Sequence, residues 1–249
     1  MILGHYAAVS GMLTAVRRME VVINNLANVG TPGFKQERTT SVSFEQRMMA
    51  EQASQQQTLG QMVLTTAPQA PELDLAQGPI QQTDRNLDVA LEGPGLLVVQ
   101  TPHGVAYTRG GSLGRDVDGY LATSDGARVL GQNGPIQVPD ARVAIDADGT
   151  VISNGRPVDQ LRLVEFAEDQ ALKRAGNGEL TPTDTAASPH AATQTRVAQG
   201  AIEGSNADLT GAITSMLELQ RAYDANQRMI KYQDDMATHA VNDVARPVG

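Results

Sequence analysis

The chain has no cysteine and only four histidines among 249 residues. A disulfide framework is therefore excluded, and the histidines are too scattered to offer metal-ligand spacing. The absence of cysteine fits a protein that crosses or inhabits an oxidising compartment without needing or risking disulfides. Long apolar runs are also missing: none approaches the roughly eighteen residues of a membrane-spanning helix. The N-terminus has no charged segment followed by an apolar run and a small-residue cleavage site, so neither membrane insertion nor general secretion with a cleaved signal peptide is expected. Together these absences point to an unusual export route. Basic charge is scarce as well. With a net charge of −9 and a pI near 4.9, no basic stripe is available to neutralise phosphates, which excludes non-specific nucleic-acid binding and leaves proteins as the expected partners. No cofactor is expected.

What the chain does have is helical patterning at both ends. The apolar residues Val9, Met12, Val16, Met19, Ile23 and Leu26 step by three and four. So do Leu209, Ala212, Met216, Leu219, Tyr223, Ile230, Ala237 and Val244, with Asn226, Gln233 and Ala240 at the intervening places. A stripe this narrow is the seam of a coiled coil rather than the broad face of a core helix. Two such helices predict an intramolecular pair or mixed bundles between subunits, in either case a chain built to polymerise. The polar seam residues Asn226 and Gln233 cost stability but restrict register.

Between the helices the pattern changes twice. The first helix is expected over about His5 to Asn28, closed by Gly30 in a left-handed conformation and by Pro32. Residues 36–79 are polar, glutamine-rich between Gln52 and Gln61, and are read as an extended linker, with a weak helix over 41–53 as the alternative. From residue 80 to 200 short apolar runs alternate with turn pairs, among them Asp118-Gly119, Asp125-Gly126, Asn133-Gly134, Asp148-Gly149 and Asn154-Gly155. Such punctuation marks an all-β domain with tight turns. A helix of about 35 residues is expected to follow, with Ser205 or Asn206 as N-cap and Asp208 near its positive end. The fold class is thus α+β: terminal helices over 1–35 and 201–249 pairing as a coiled-coil-like assembly domain, and a central all-β domain.

Catalytic motifs find little support. Gly110-Gly111-Ser112-Leu113-Gly114 matches a nucleophile elbow in form, but the residues after it read as a turn and a strand where that motif needs a helix. Asp146-Ala147-Asp148-Gly149 lacks the distant glutamate of a calcium loop and reads as a hairpin turn. No catalytic or metal-binding residue is assigned. Arg109 is read as a loop tether.

Three segments carry a family resemblance. Ile23-Asn24-Asn25-Leu26-Ala27-Asn28-Val29-Gly30-Thr31-Pro32-Gly33-Phe34-Lys35 resembles the N-terminal signature of the flagellar basal-body rod and hook proteins. Leu87 to Val99, with Tyr107-Thr108-Arg109 and Gly111-Ser112-Leu113, is similar to the start of that family's β domain. Glu203-Gly204-Ser205-Asn206, then Gln220-Arg221-Ala222-Tyr223 and Asn226, resembles its terminal helix. The resemblance implies a non-enzymatic structural subunit of the flagellar rod, exported by the flagellar type III apparatus and assembled in the periplasm. Its partners would be itself and other rod or hook subunits. The length and Leu96-Leu97, where an aromatic pair is common, favour the proximal rod over the distal rod or hook. The residues expected to carry self-association are the N-terminal seam with Asn24, Asn25, Asn28, Thr31, Gly33 and Phe34. At the other end they are Ser205, Asn206, Leu209, Met216, Leu219, Arg221, Tyr223, Asn226 and Ile230.

Overall fold

A computed structural model describes residues 2–39, 71–139, 143–166, 172–176, 178–183 and 188–244. Two helices, α1 (Ile2–Ala27) and α2 (Leu209–Val244), lie at the ends of the chain, with a strand-rich region between them. The class is α+β. The weak helix considered over 41–53 and the glutamine-rich stretch fall outside the described residues. The chain divides into a helical unit made of Met1–Leu26, Arg38–Pro71 and Leu209–Gly249, which holds α1 to Leu26 and all of α2, and a β unit made of Ala27–Glu37 and Glu72–Asp208.

The β unit is organised around β5 (Leu96–Thr101). Its neighbours are the hairpin partner β6 (Gly104–Thr108) on one side, with β9 (Arg128–Val129) and β13 (Leu163–Glu165) along the other. The nine-stranded sheet continues through β15 (Glu179–Pro182) to β14 (Leu172–Gly176). In the other direction it runs through β8 (Leu121–Thr123) to β7 (Leu113–Arg115), and β16 (His190–Ala191) pairs with β13. Smaller ladders join β1 (Glu37–Arg38) to β2 (Glu72–Leu73), β3 (Ile80–Gln82) to β18 (Ala201–Glu203), and β4 (Val89–Glu92) to β17 (Arg196–Gln199). A further antiparallel sheet holds β10 (Val143–Ile145), β11 (Thr150–Ser153) and β12 (Arg156–Gln160).

The unbroken run Leu96-Leu97-Val98-Val99 follows from burial of both faces of β5. Successive side chains of a strand point to opposite sides. Leu97 and Val99 accordingly enter one core with Val89, Leu91, Leu113, Leu121, Val129, Ile136 and Val151. Leu96 and Val98 enter a second core with Leu73, Tyr107, Val164, Leu172 and Leu180. A strand buried on one face alternates; this one has no polar side to show.

The turn pairs behave as their chemistry requires. All five glycines have positive φ, and Asn154 (φ 52) precedes Gly155 (φ 75), the two left-handed residues that a type I′ hairpin turn demands. The expected close of α1 needs correction. The helix ends at Ala27, Thr31 donates from its backbone N–H to the Asn28 carbonyl at 3.1 Å, and its hydroxyl donates to Asn28 Oδ1 at 3.1 Å. The left-handed glycine is Gly33 (φ 70), not Gly30. Residues 72–79, read as linker, carry β2 and the buried Leu73, because Leu73 and Leu75 fill the second core.

Candidate assembly site

The segments of the β unit that matter most for the family resemblance meet at one buried junction. Gly33 has no room for a side chain: a Cβ there would lie 2.3 Å from the Gly110 nitrogen and 2.4 Å from the Arg109 carbonyl carbon. The Gly33 N–H donates to the Glu203 carbonyl at 2.7 Å. Phe34, buried, lies beneath the Arg174 guanidinium at 4.1 Å. Arg174 in turn pairs with Glu37 at 2.9 Å and donates to the Lys35 carbonyl.

Lys35, Arg109 and Glu203 form the centre. Glu203 is fully buried and accepts from Lys35 Nζ at 2.6 Å and the Gly78 N–H at 2.8 Å through Oε1, and from Arg109 Nε at 2.7 Å through Oε2. Two cations share one carboxylate, so the excess positive charge is met by carbonyls. Lys35 also donates to Ala76 O at 2.7 Å, and Arg109 donates to the carbonyls of Gly95 and Gly93. Burial pushes the Lys35 ammonium below its usual range, and this outweighs the opposing pull of its hydrogen bond to Glu203. A buried ionic cluster adds little net stability over a well-packed apolar one, but removing the shared carboxylate leaves two buried cations unpaired and is costly.

Asn206 completes the junction. Its Oδ1 accepts from the Gln36 N–H at 2.7 Å, while Nδ2 donates to the Asp74 carbonyl at 2.7 Å and the Ala76 carbonyl at 3.0 Å. Ser205 Oγ accepts from the Ala207 N–H at 3.2 Å. Neither residue caps α2 directly, since the helix begins at Leu209 and Asp208 holds the preceding place. Residues 33–36, 74–78 and 203–206 are thus stitched together, and the chain runs into this knot from α1 and out of it into α2.

Within the helical unit, His5 Nε2 lies 3.6 Å from Asp234 Oδ1. At Gly11 a Cβ would meet the Asn226 side-chain nitrogen at 2.9 Å. The two contacts run in opposite chain directions, so α1 and α2 are antiparallel. Stepping along that register brings Ala15 level with Tyr223 and Ala8 level with Ile230. The seam expected on α1 is divided: Met12, Met19 and Leu26 are half-buried, whereas Val9, Val16 and Ile23 are exposed, and the buried apolar positions among the described residues are Ala8 and Ala15. On α2, Met216, Leu219, Tyr223, Asn226 and Ile230 are half-buried, while Leu209 and Arg221 are exposed. Of the asparagines ahead of the signature, Asn25 is buried and Asn24 half-buried.

The ionic centre escaped the sequence reading, although Arg109 proves to be the loop tether expected. Strand alternation offered a signal for Glu203: it shares a face of β18 with the buried Ala201. Ser112 opens the way to strand β7, not to a helix, and its hydroxyl lies 3.4 Å from Asp88 Oδ1. Among the described residues no group of three or more carboxylate, histidine or cysteine side chains is arranged to hold a metal ion, and no helix is long and apolar enough to cross a membrane.

This arrangement is that of a structural subunit with a locked β unit and helical ends. Three family descriptions match it in chain order: "Flagella basal body rod protein" over residues 6–35, "Flagellar hook protein FlgE/F/G D1 domain" over 90–153, and "Flagellar basal body rod FlgEFG protein C-terminal" over 198–242. The chain is 31% identical to the flagellar basal-body rod protein FlgG of Bacillus subtilis (strain 168), covering 95% of this chain and 97% of that one. It is 33% identical to the flagellar basal-body rod protein FlgF of Escherichia coli (strain K12), over 94% and 95% of the two chains. The FlgG protein of Buchnera aphidicola subsp. Schizaphis graminum (strain Sg) is 32% identical over 88% of this chain and 90% of its own. The chain belongs to the flagellar basal-body rod protein family.

Proposed function

We propose that this chain is a non-enzymatic subunit of the flagellar basal-body rod, in its proximal part, where it polymerises through α1 and α2 and transmits torque along the shaft. The observation that carries this reading is the contrast within one chain: a β unit with its buried charges paired and its core closed, and long helices whose described large apolar residues stay half-buried or exposed. A coiled-coil-like pairing of the terminal helices, completed by neighbouring subunits, gives those residues their cover. The other rod and hook subunits are the remaining partners. Export through the flagellar type III apparatus, without a cleaved signal peptide, delivers the chain to the periplasm. Electron microscopy of purified basal bodies from a strain carrying a tagged copy tests the assignment. The tag is expected in the rod near its membrane end. A tag found only in the hook contradicts it.

A further inference from the structure

Each terminal helix carries a second heptad, distinct from the side on which the two helices of one chain meet. On α1 it consists of Val9, Leu13, Val16, Glu20 and Ile23, all exposed, with Leu13 at 60%. On α2 it consists of Ala222, Ala225, Met229, Tyr232 and Met236, again all exposed, with Tyr232 at 67% and Met236 at 66%. At about 100° per residue the α1 stripe lies well over a quarter-turn from the small-residue side that holds Ala8, Gly11 and Ala15. A helix with apolar stripes in two directions is made to be covered twice.

The two outer stripes are mirror images in step. Along α1 the spacing is four, three, four, three; backward along α2 from Met236 it is the same. We propose that they join one copy of this chain to another, with α1 of one antiparallel to α2 of the next. Leu13 then packs on Tyr232, Val9 on Met236 and Val16 on Met229. Charge follows the same register: Glu20 falls beside Ala225, between the exposed Arg221 and Arg228. The antiparallel sense is that of the pair within one chain, as it must be when identical subunits all point the same way along a shaft. Relative to that pair, the partner helix is displaced by about seven residues, roughly 10 Å along its axis. The small-residue side of α1 thus serves its own chain and the β-branched side serves the next.

The inference rests on the polymer reading and is tested apart from it. Because the chain has no cysteine, single-cysteine variants report one contact each. Leu13→Cys and Tyr232→Cys are co-expressed with different tags, and basal bodies are isolated under mild oxidation. The expected product is a mixed disulfide dimer carrying both tags, absent when either variant is expressed alone. A control pair, Leu13→Cys with Met216→Cys, gives none. Val16→Cys with Met229→Cys repeats the test at a less bulky position. Incorporation of both variants with no mixed dimer from either pair overturns the contact and leaves the rod assignment intact. Linkage within a single chain of the Leu13→Cys, Tyr232→Cys double variant also overturns it. Failure of the unaltered chain to enter the rod refutes the polymer reading itself.

Discussion

The β unit and the helical unit are built on opposite terms. In the β unit both faces of β5 are buried, every member of the Lys35, Arg109 and Glu203 cluster has a charged partner, and Phe34 is closed beneath Arg174. In the helical unit no described residue of α2 is buried, and Leu13, Tyr232 and Met236 stand in solvent. The difference shows how one chain can have a fixed body and conditional ends. Closing a core within the chain gives stability independent of concentration, whereas a helix whose apolar side waits for another chain gains its stability only by association.

The largest expected effect breaks the conditional part. Leu219→Asp introduces a charge midway along the half-buried stripe of α2, where each assembled subunit would bury it unpaired at a cost of several kcal/mol. Rod incorporation and motility are expected to be lost while the sheet of the purified variant unfolds at an unchanged temperature. Normal motility would remove this side of α2 from the assembled interface.

A smaller effect, confined to the β unit, comes from the ionic centre. Glu203→Gln leaves two buried cations without their carboxylate and is expected to destabilise the β unit by about 3–5 kcal/mol. Lys35→Met leaves the balanced Arg109 and Glu203 pair and is expected to cost no more than about 1 kcal/mol, chiefly for the Ala76 carbonyl that loses its donor. Denaturant unfolding of both variants measures the difference. Equal losses would mean that the cluster is not a shared charge system.

The same lysine gives a pH signature. Its native pKa lies below the ordinary 10.5, so between the two values the unfolded chain binds more protons than the native one. Stability contributed by this group therefore rises with pH across that window. Unfolding of the parent chain from neutral to alkaline pH should show this contribution, and Lys35→Met should lack it. The smallest effect is expected at Ser112→Ala, within about 0.5 kcal/mol and without change in motility.

How much was legible in the sequence follows the same division. The turn pairs were readable because Asn-Gly and Asp-Gly report local backbone needs, and runs such as Val105 to Thr108 were readable because β-branched and aromatic residues mark strands. The strands β12, β14 and β17 were not, since Arg156–Gln160, Leu172–Gly176 and Arg196–Gln199 owe their form to pairing partners distant in sequence. On α1 the apolar count favoured Val9, Val16 and Ile23. Close helix packing favours the small Ala8, Gly11 and Ala15, whose value lies in what they leave room for. The burial of Lys35 and Glu203 was not legible, because burial of an ion depends on partners that no local pattern reveals.

Hydrogen exchange of the verified monomer, followed segment by segment, tests the central claim most directly. The account predicts slow exchange in β4, β5 and β6, whose amides open only with global unfolding, and fast exchange through α1 and α2 that slows once the chain is in the assembled rod. Equally slow exchange in the helices and the sheet of the monomer would contradict it, because the helices would then be stable without a neighbour.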